Sequence, residues 1–328
     1  MKLPDAMCAQ ETVEVPRTVK LALAGDAMLG RTVAEAIRER GPDALVAEEV
    51  VAVASEADLF VLNLECCISE RGEREPGKPF SFRAPPAATE LLGQLRVDCV
   101  TLANNHALDY GAEALLDTLA YLHAAGIASV GAGADREQAR APATLEAHGF
   151  RLAVLGCADD PREWDAAPAA PGIAYGLDWV ADAVERVEAD AVLVTPHWGP
   201  NMATAPLPQI RRAAARLRAV GATLVAGHSA HVFHGVEGSI LYDLGDFLDD
   251  YAVDPDLRND LGLLFLVELD DEGPVRLEAV PLKLEFCHTR LAASEDAAWI
   301  GERFTDACRR LGTEVGEERG RLVVSLRV

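Results

Sequence analysis

The sequence predicts a layered α/β fold, and three observations predict it. Short, nearly continuous apolar runs recur along the chain, patterns of helical period separate several of them, and polar residues stand where the apolar runs end. Strands buried on both faces read as unbroken apolar runs rather than as alternating ones. Their alternation with amphipathic helices is the pattern of helices laid over sheet.

In chain order, strands are expected at VKLALAG (19 to 25), DLFVLNL (58 to 64), VDCVTLA (97 to 103), RLAVLGC (151 to 157), DAVLVTP (190 to 196), ATLVAG (222 to 227) and ILYDLG (240 to 245). Helices are expected at RTVAEAIRER, GAEALLDTLAYLHAAG and LPQIRRAAARLRAVG, the last two with a glycine just past the end. The rhythm then changes. GLLFLVELDDEGPVRLEAVPLKLEF reads as a hairpin about DDEG, AAWIGERFTDACRRLG as a helix and RLVVSLRV as a last strand. EWDAAPAAPGIAYG is a surface loop, and no internal repeat or long linker divides the chain. A length of 328 residues accommodates two average domains or one large one. One domain over residues 18–328 is expected, after an N-terminal extension of residues 1–17, with residues 251–328 completing the sheet.

Composition excludes several functions. Acidic residues number 53 against 30 basic ones, a formal net charge of -23, so nonspecific binding to nucleic acid or an anionic membrane is not expected. An anionic substrate must be drawn in by a local device, such as a bound cation or basic residues like Arg31, Lys78 and Arg83. Seven scattered cysteines without a CxxC pair fit a reducing cytoplasm better than a disulfide framework. No stretch reads as a signal peptide or a membrane span.

The polar strand ends carry the chemistry. The apolar runs close on Asp26, Glu65, Asn105 with His106, His197, His228 and Asp246, and in α/β sheets ligands gather beyond the carboxyl ends of the strands. Each has an ordinary explanation: Asp26 as a helix cap, Glu65 as a surface charge, Asn105 as a turn residue, His197 as a packed imidazole. Six coincidences in a row are harder to accept. Carboxylate and imidazole together suit Zn, Mn or Fe better than Ca. Cys66 and Cys67 follow Glu65, but adjacent strand residues face opposite ways, and packing is their expected role. GHSAHVFHGVE adds His231 and His234 at a spacing of three after His228.

The blocks GDAMLGR, NLECCIS, TLANNHALDYG, VGAG, HWG, GHSAHVFHGVE and LYDLGDF resemble, in order and spacing over about residues 18 to 250, the CapA-like proteins named for poly-gamma-glutamate capsule synthesis. That family is similar to calcineurin-like metallophosphoesterases. The resemblance implies two packed mixed β-sheets flanked by helices, a four-layer α/β/β/α sandwich, with a site for one or two divalent ions at the strand ends. It implies metal ligation by Asp26, Glu65, Asn105, His197, His228 and His231, and catalytic roles for His106, Asp109 and His231. Arg31, Asn104, Trp198 and Asp246 are the implied substrate contacts.

Three departures stand out. Metallophosphoesterases begin Asp-x-His, whereas position 28 is Met, which leaves one metal short of a ligand. Their closing Gly-His-x-His is one residue wider here, as in CapA-like proteins. Asp246 stands where many relatives carry Asn, and HWGPNM replaces a common HWGxEY; both changes are expected to alter substrate choice. The resemblance leaves three functions open: a metal-dependent hydrolase of a phosphoester or an amide, an acid/base epimerase of peptides using Asp26, His106 or His231, and noncatalytic handling of an envelope polymer. The substrate is accordingly a small molecule, a peptide or an anionic polymer.

Overall fold

The computed structural model describes residues 17–327, so the expected N-terminal extension lies, apart from Arg17, outside the described residues. The chain first lays down parallel strands β1 (Thr18–Ala27), β2 (Leu59–Leu64), β3 (Cys99–Thr101) and β4 (Ala128–Val130). It then builds a second sheet from β5 (Ala143–Ala147), β6 (Phe150–Ala158), β7 (Ala191–His197), β8 (Leu224–Ala226), β9 (Val236–Glu237) and β10 (Ile240–Leu241). Finally β11 (Asp246–Leu248), β12 (Leu261–Asp270), β13 (Gly273–Glu285), β14 (His288–Leu291), β15 (Gly316–Glu318) and β16 (Arg321–Ser325) return to the first sheet. That sheet is ten-stranded, in the order β15-β16-β13-β12-β1-β2-β3-β4, with β11 also paired to β1 and β14 to β13. The second has six strands, in the order β9-β10-β8-β7-β6-β5.

Strand alternation sorts the apolar side chains into layers. Leu21, Leu23, Leu59 and Val61 meet Leu152, Val154, Leu193 and Leu224 between the two sheets. On the outer face of the first sheet, Ala22, Ala24, Phe60 and Leu62 pack under the helices α1 (Arg31–Arg40), α2 (Glu48–Ala54), α3 (Ala88–Gln94) and α4 (Gly111–Ala124). Ala153, Leu155, Val192 and Val194 face α5 (Asp178–Arg186) and α6 (Pro208–Ala219) on the other side. Two mixed sheets flanked by helices, the fold expected from the sequence, follow from these three apolar layers. The C-terminal helix α7 (Ser294–Arg310) extends the middle layer, placing Ile300, Phe304 and Cys308 against Phe265, Leu277 and Val324. No helix among the described residues is long and apolar enough to cross a membrane.

One difference from the expected elements builds the site. The predicted strand over 240 to 245 stops at Leu241, because the buried Asp243 carboxylate accepts hydrogen bonds from Ala230 N (2.8 Å) and Gly245 N (2.9 Å). There the chain leaves the second sheet, and β11 enters the first beside β1, placing Asp246 in register with Asp26. The crossing is tight: a Cβ on Gly25 would lie 1.8 Å from Gly245 O, so only glycine fits.

Candidate metal centre

Asp26, near the end of β1, is fully buried and sits between two imidazoles. His228 Nδ1 lies 3.1 Å from its Oδ1 and His231 Nδ1 lies 3.3 Å from its Oδ2. The wide histidine spacing is absorbed by the backbone: Ser229 (φ 111°) and His231 (φ 58°) are left-handed, which turns both rings toward one carboxylate. Such conformations cost about 1–3 kcal/mol each and persist where surrounding structure enforces them. Asp243, by holding Ala230 N, supplies part of that enforcement.

Asp246 completes this half of the site. Its Oδ1 lies 2.8 Å from His231 Nδ1, and donor atoms of Asp26, His231 and Asp246 all fall within 4.8 Å of one another. Met28, fully buried, packs in the apolar layer under the outer helices. Asp246 on β11, expected from sequence only as a substrate contact, thus adds a carboxylate beside Asp26 and His231, whereas Met28 adds no donor there.

The second half is built on Glu65, one residue beyond β2. Its Oε1 lies 3.6 Å from His197 Nε2 and 3.9 Å from His106 Nε2. Asn63 links the halves, donating from Nδ2 to Asp26 Oδ1 (2.8 Å) and to Glu65 Oε2 (3.0 Å). His197 and His228 meet through a parallel bridge that joins the ends of β7 and β8. His106 is oriented from behind: its Nδ1 is 2.7 Å from Asp109 Oδ2, Phe82 stacks edge to face on its ring at 4.6 Å, and Lys78 Nζ contacts Asp109 Oδ1. With Nδ1 engaged, Nε2 is the nitrogen that faces Glu65.

Electrostatics follow from this burial. Burial opposes the Asp26 carboxylate, but hydrogen bonds and charge from His228 and His231 prevail and hold it well below the usual carboxylate range. Burial likewise disfavours the cation of His231, yet Asp246 and Asp26 raise it well above an ordinary imidazole, and Glu65 raises His197 in the same way. Asp246 is pushed up by burial against the pull of His231. Burial raises the Cys66 thiol well above its ordinary value and Cys67 to about 12, so neither offers a thiolate. All six described cysteines are free and buried.

Not every expected contact reaches the centre. Asn104 is buried and spent on the scaffold: Nδ2 donates to Asn63 Oδ1 and Leu64 O, both at 2.9 Å, and Oδ1 accepts His106 N at 3.0 Å. Trp198 packs in the outer layer of the second sheet, donating Nε1 to Tyr242 O at 3.0 Å. Arg31 stands further out, 3.2 Å from Asp250 Oδ1, its guanidinium over the rings of Phe80, Phe82 and Tyr251. Tyr251, which the sequence did not flag, stacks edge to face on His231 at 5.4 Å. Asn63 was also missed, although its position two residues before Glu65 places both on one strand face.

Whether these residues suit a cation is decided by what they leave unpaired. Glu65 Oε1, Asn105 Oδ1, His197 Nε2 and Asp246 Oδ2 are buried without a hydrogen-bond partner, and Asp26 Oδ2 has only the 3.3 Å approach of His231 Nδ1. Buried polar atoms are rarely orphaned; these oxygen and nitrogen donors near the strand ends are of the type that suits borderline divalent ions, and those of Asp26, His231 and Asp246 lie within reach of one ion.

A two-sheet α/β sandwich with buried carboxylate and imidazole groups brought together at the strand ends defines the class. The model of the bacterial capsule synthesis protein PGA_cap matches residues 20–251, and the chain belongs to that family. It is similar to a probable polyglutamine synthesis accessory protein of Mycobacterium tuberculosis, 33% identical over 79% of this chain and 74% of the relative. It is also similar to the PGA biosynthesis protein CapA of Bacillus subtilis, 26% identical over 79% of this chain and 70% of that one. Among solved structures, the match to a hypothetical protein from Thermus thermophilus covers 83% of this chain and 96% of that one, with a TM-score of 0.46 and 16% identity.

Proposed function

We propose that this protein is a metal-dependent hydrolase acting on a phosphoester or on an amide of the peptide or gamma-glutamyl kind. These buried, underused donor atoms carry the reading. Asp26, Asp246 and His231 would hold one divalent ion and Glu65, Asn105 and His197 a second, with His228, whose Nδ1 lies beside Asp26 and whose backbone bridges to His197, between them. A bound divalent cation supplies Lewis acidity toward a phosphoryl or carbonyl oxygen and lowers the pKa of water.

The chain's own residues do the rest. His106, fixed through Nδ1 by Asp109, presents Nε2 at the cleft as the proton donor to the leaving group. Asp109 accepts from Phe82 N at 2.6 Å and from Lys78 Nζ as well, so the carboxylate that orients the imidazole is itself held in place. Asn63 and Asn104 hold the two carboxylates in their relative positions. Arg31, over the rings that touch His106 and His231, suits an anionic part of the substrate.

The deciding experiment incubates the metal-loaded protein in heavy water with bis(p-nitrophenyl) phosphate, p-nitrophenyl phosphate and gamma-glutamyl peptides. Cleavage that is lost on chelation supports hydrolysis. Deuterium entering an α-carbon without cleavage replaces this reading with epimerisation, and neither reaction with any probe favours polymer binding.

A further inference from the structure

The C-terminal helix takes no part in the proposed centre, yet it flanks a cleft of its own, whose wall includes Phe233 and Gly235 on either side of the third histidine of GHSAHVFHGVE. We propose that this cleft is a binding site for a small oxyanion of the phosphate class, anchored by Arg303. It has a volume of about 270 Å3 and is lined by Thr204, Phe233, Gly235, Arg303, Asp306 and Arg310. Positions 303, 306 and 310 share one face of α7. The helix comes close: a Cβ on Gly235 would lie 2.5 Å from the Ala307 carbonyl carbon.

Arg303 is the first observation. Its guanidinium lies over the rings of Phe233 (5.5 Å) and Trp299 (5.3 Å), and among the described residues it has neither an ion pair nor a hydrogen bond. Its Nη2 is buried without a partner. Asp306, the carboxylate in the wall, is engaged by Arg309 and by Arg310. A cation partly withdrawn from water and left unpaired is costly, and in a chain of net charge -23 it is conspicuous. An anion in the cleft removes that cost.

His234 is the second. It is 4% exposed, and its Nε2 donates to Ala203 O at 2.7 Å, next to Thr204 in the cleft wall. Nδ1 is thereby left as an acceptor, and it is buried with no partner. Burial, with the charge of Arg303, keeps the ring neutral. On this proposal the ligand pairs with Arg303 and offers an O–H to the neighbouring His234 Nδ1, which favours hydrogen phosphate or a phosphoryl group over a fully deprotonated anion. Such a ligand would tie α7 to the segment that carries His228 and His231, independently of the reaction run there.

Isothermal titration of inorganic phosphate into the full-length, metal-loaded protein tests this, with Arg303→Met and Arg303→Lys as variants. Saturable binding is expected, weakened at least tenfold in Arg303→Met and less in Arg303→Lys, with unchanged metal content and circular dichroism. Sulfate, which has no O–H at neutral pH, should bind more weakly than phosphate. Wild-type affinity in a folded Arg303→Met would place the phosphate at the metal centre and overturn the proposal, as would the absence of saturable binding at millimolar phosphate. Equal affinity for sulfate would overturn the part assigned to His234.

Discussion

Asp246→Asn separates a ligand from a structural carboxylate. The asparagine keeps an oxygen for the 2.8 Å contact with His231 Nδ1 and the volume of the side chain, and it removes a charge buried beside Asp26. Without metal, the variant should lose little stability, because the asparagine oxygen still accepts from His231, Asp26 remains as the counter-charge of that imidazole, and the carboxylate that is lost is one that burial disfavours. With metal, the loss is larger. If the parent is studied at a hundred times its dissociation constant, bound metal contributes about 2.7 kcal/mol. Weakening the site by ~100-fold leaves about 0.4 kcal/mol at the same concentration. The difference, about 2.3 kcal/mol, corresponds for a chain of this size to a fall of roughly 3 °C in metal-dependent Tm. Thermal unfolding of chelated and manganese-loaded protein, side by side, reads both effects. An Asp246→Asn variant that loses stability without metal while keeping the full metal-induced gain refutes the assignment, since that is how a purely structural carboxylate behaves.

Three other outcomes follow from the same geometry. His106→Asn should leave the metal content unchanged and slow turnover by about 10²–10⁴, measured on whichever substrate class the heavy-water screen yields; unaltered turnover removes His106 from proton transfer. Met28→His should add no metal, because position 28 packs in the apolar layer, and should cost about 1–3 kcal/mol for an imidazole buried without a partner; a rise in bound metal by elemental analysis contradicts that placement. Gly25→Ala should destabilise by roughly 2–4 kcal/mol, since its Cβ meets Gly245 O at 1.8 Å across the crossing that positions Asp246; a denaturant midpoint equal to the parent's would show the crossing to be looser than described.

Much of the fold was legible because burial on both faces writes strands as unbroken apolar runs: β1, β2, β6 and β7 fall inside or beside the expected segments. The short helices α2 and α3 were not, since each has seven residues and no side-chain cap, and Val50, Val51 and Val53 read equally well as strand. In the site, Asp26, Glu65, His106, His197, His228 and His231 were legible as polar residues closing apolar runs, and the gap at Met28 was visible as a missing donor. The approach of Asp246 to Asp26 and His231 was not visible. The place of Asp246 depends on Asp243 ending a strand early and sending the chain from one sheet to the other, a tertiary event without a local signature. Asn104 and Trp198, expected as substrate contacts, have side chains whose direction was equally invisible. A motif shows that a polar group is near the site but not which way it points, and both are consumed by hydrogen bonds to the scaffold.

The central claim is that these converging side chains hold divalent metal, with Asp246 as a ligand beside Asp26 and His231. Elemental analysis of the purified protein after manganese loading and desalting, expressed as metal per chain, tests it most directly. The account predicts a ratio approaching two, one ion for each half of the site. A ratio near zero would contradict it.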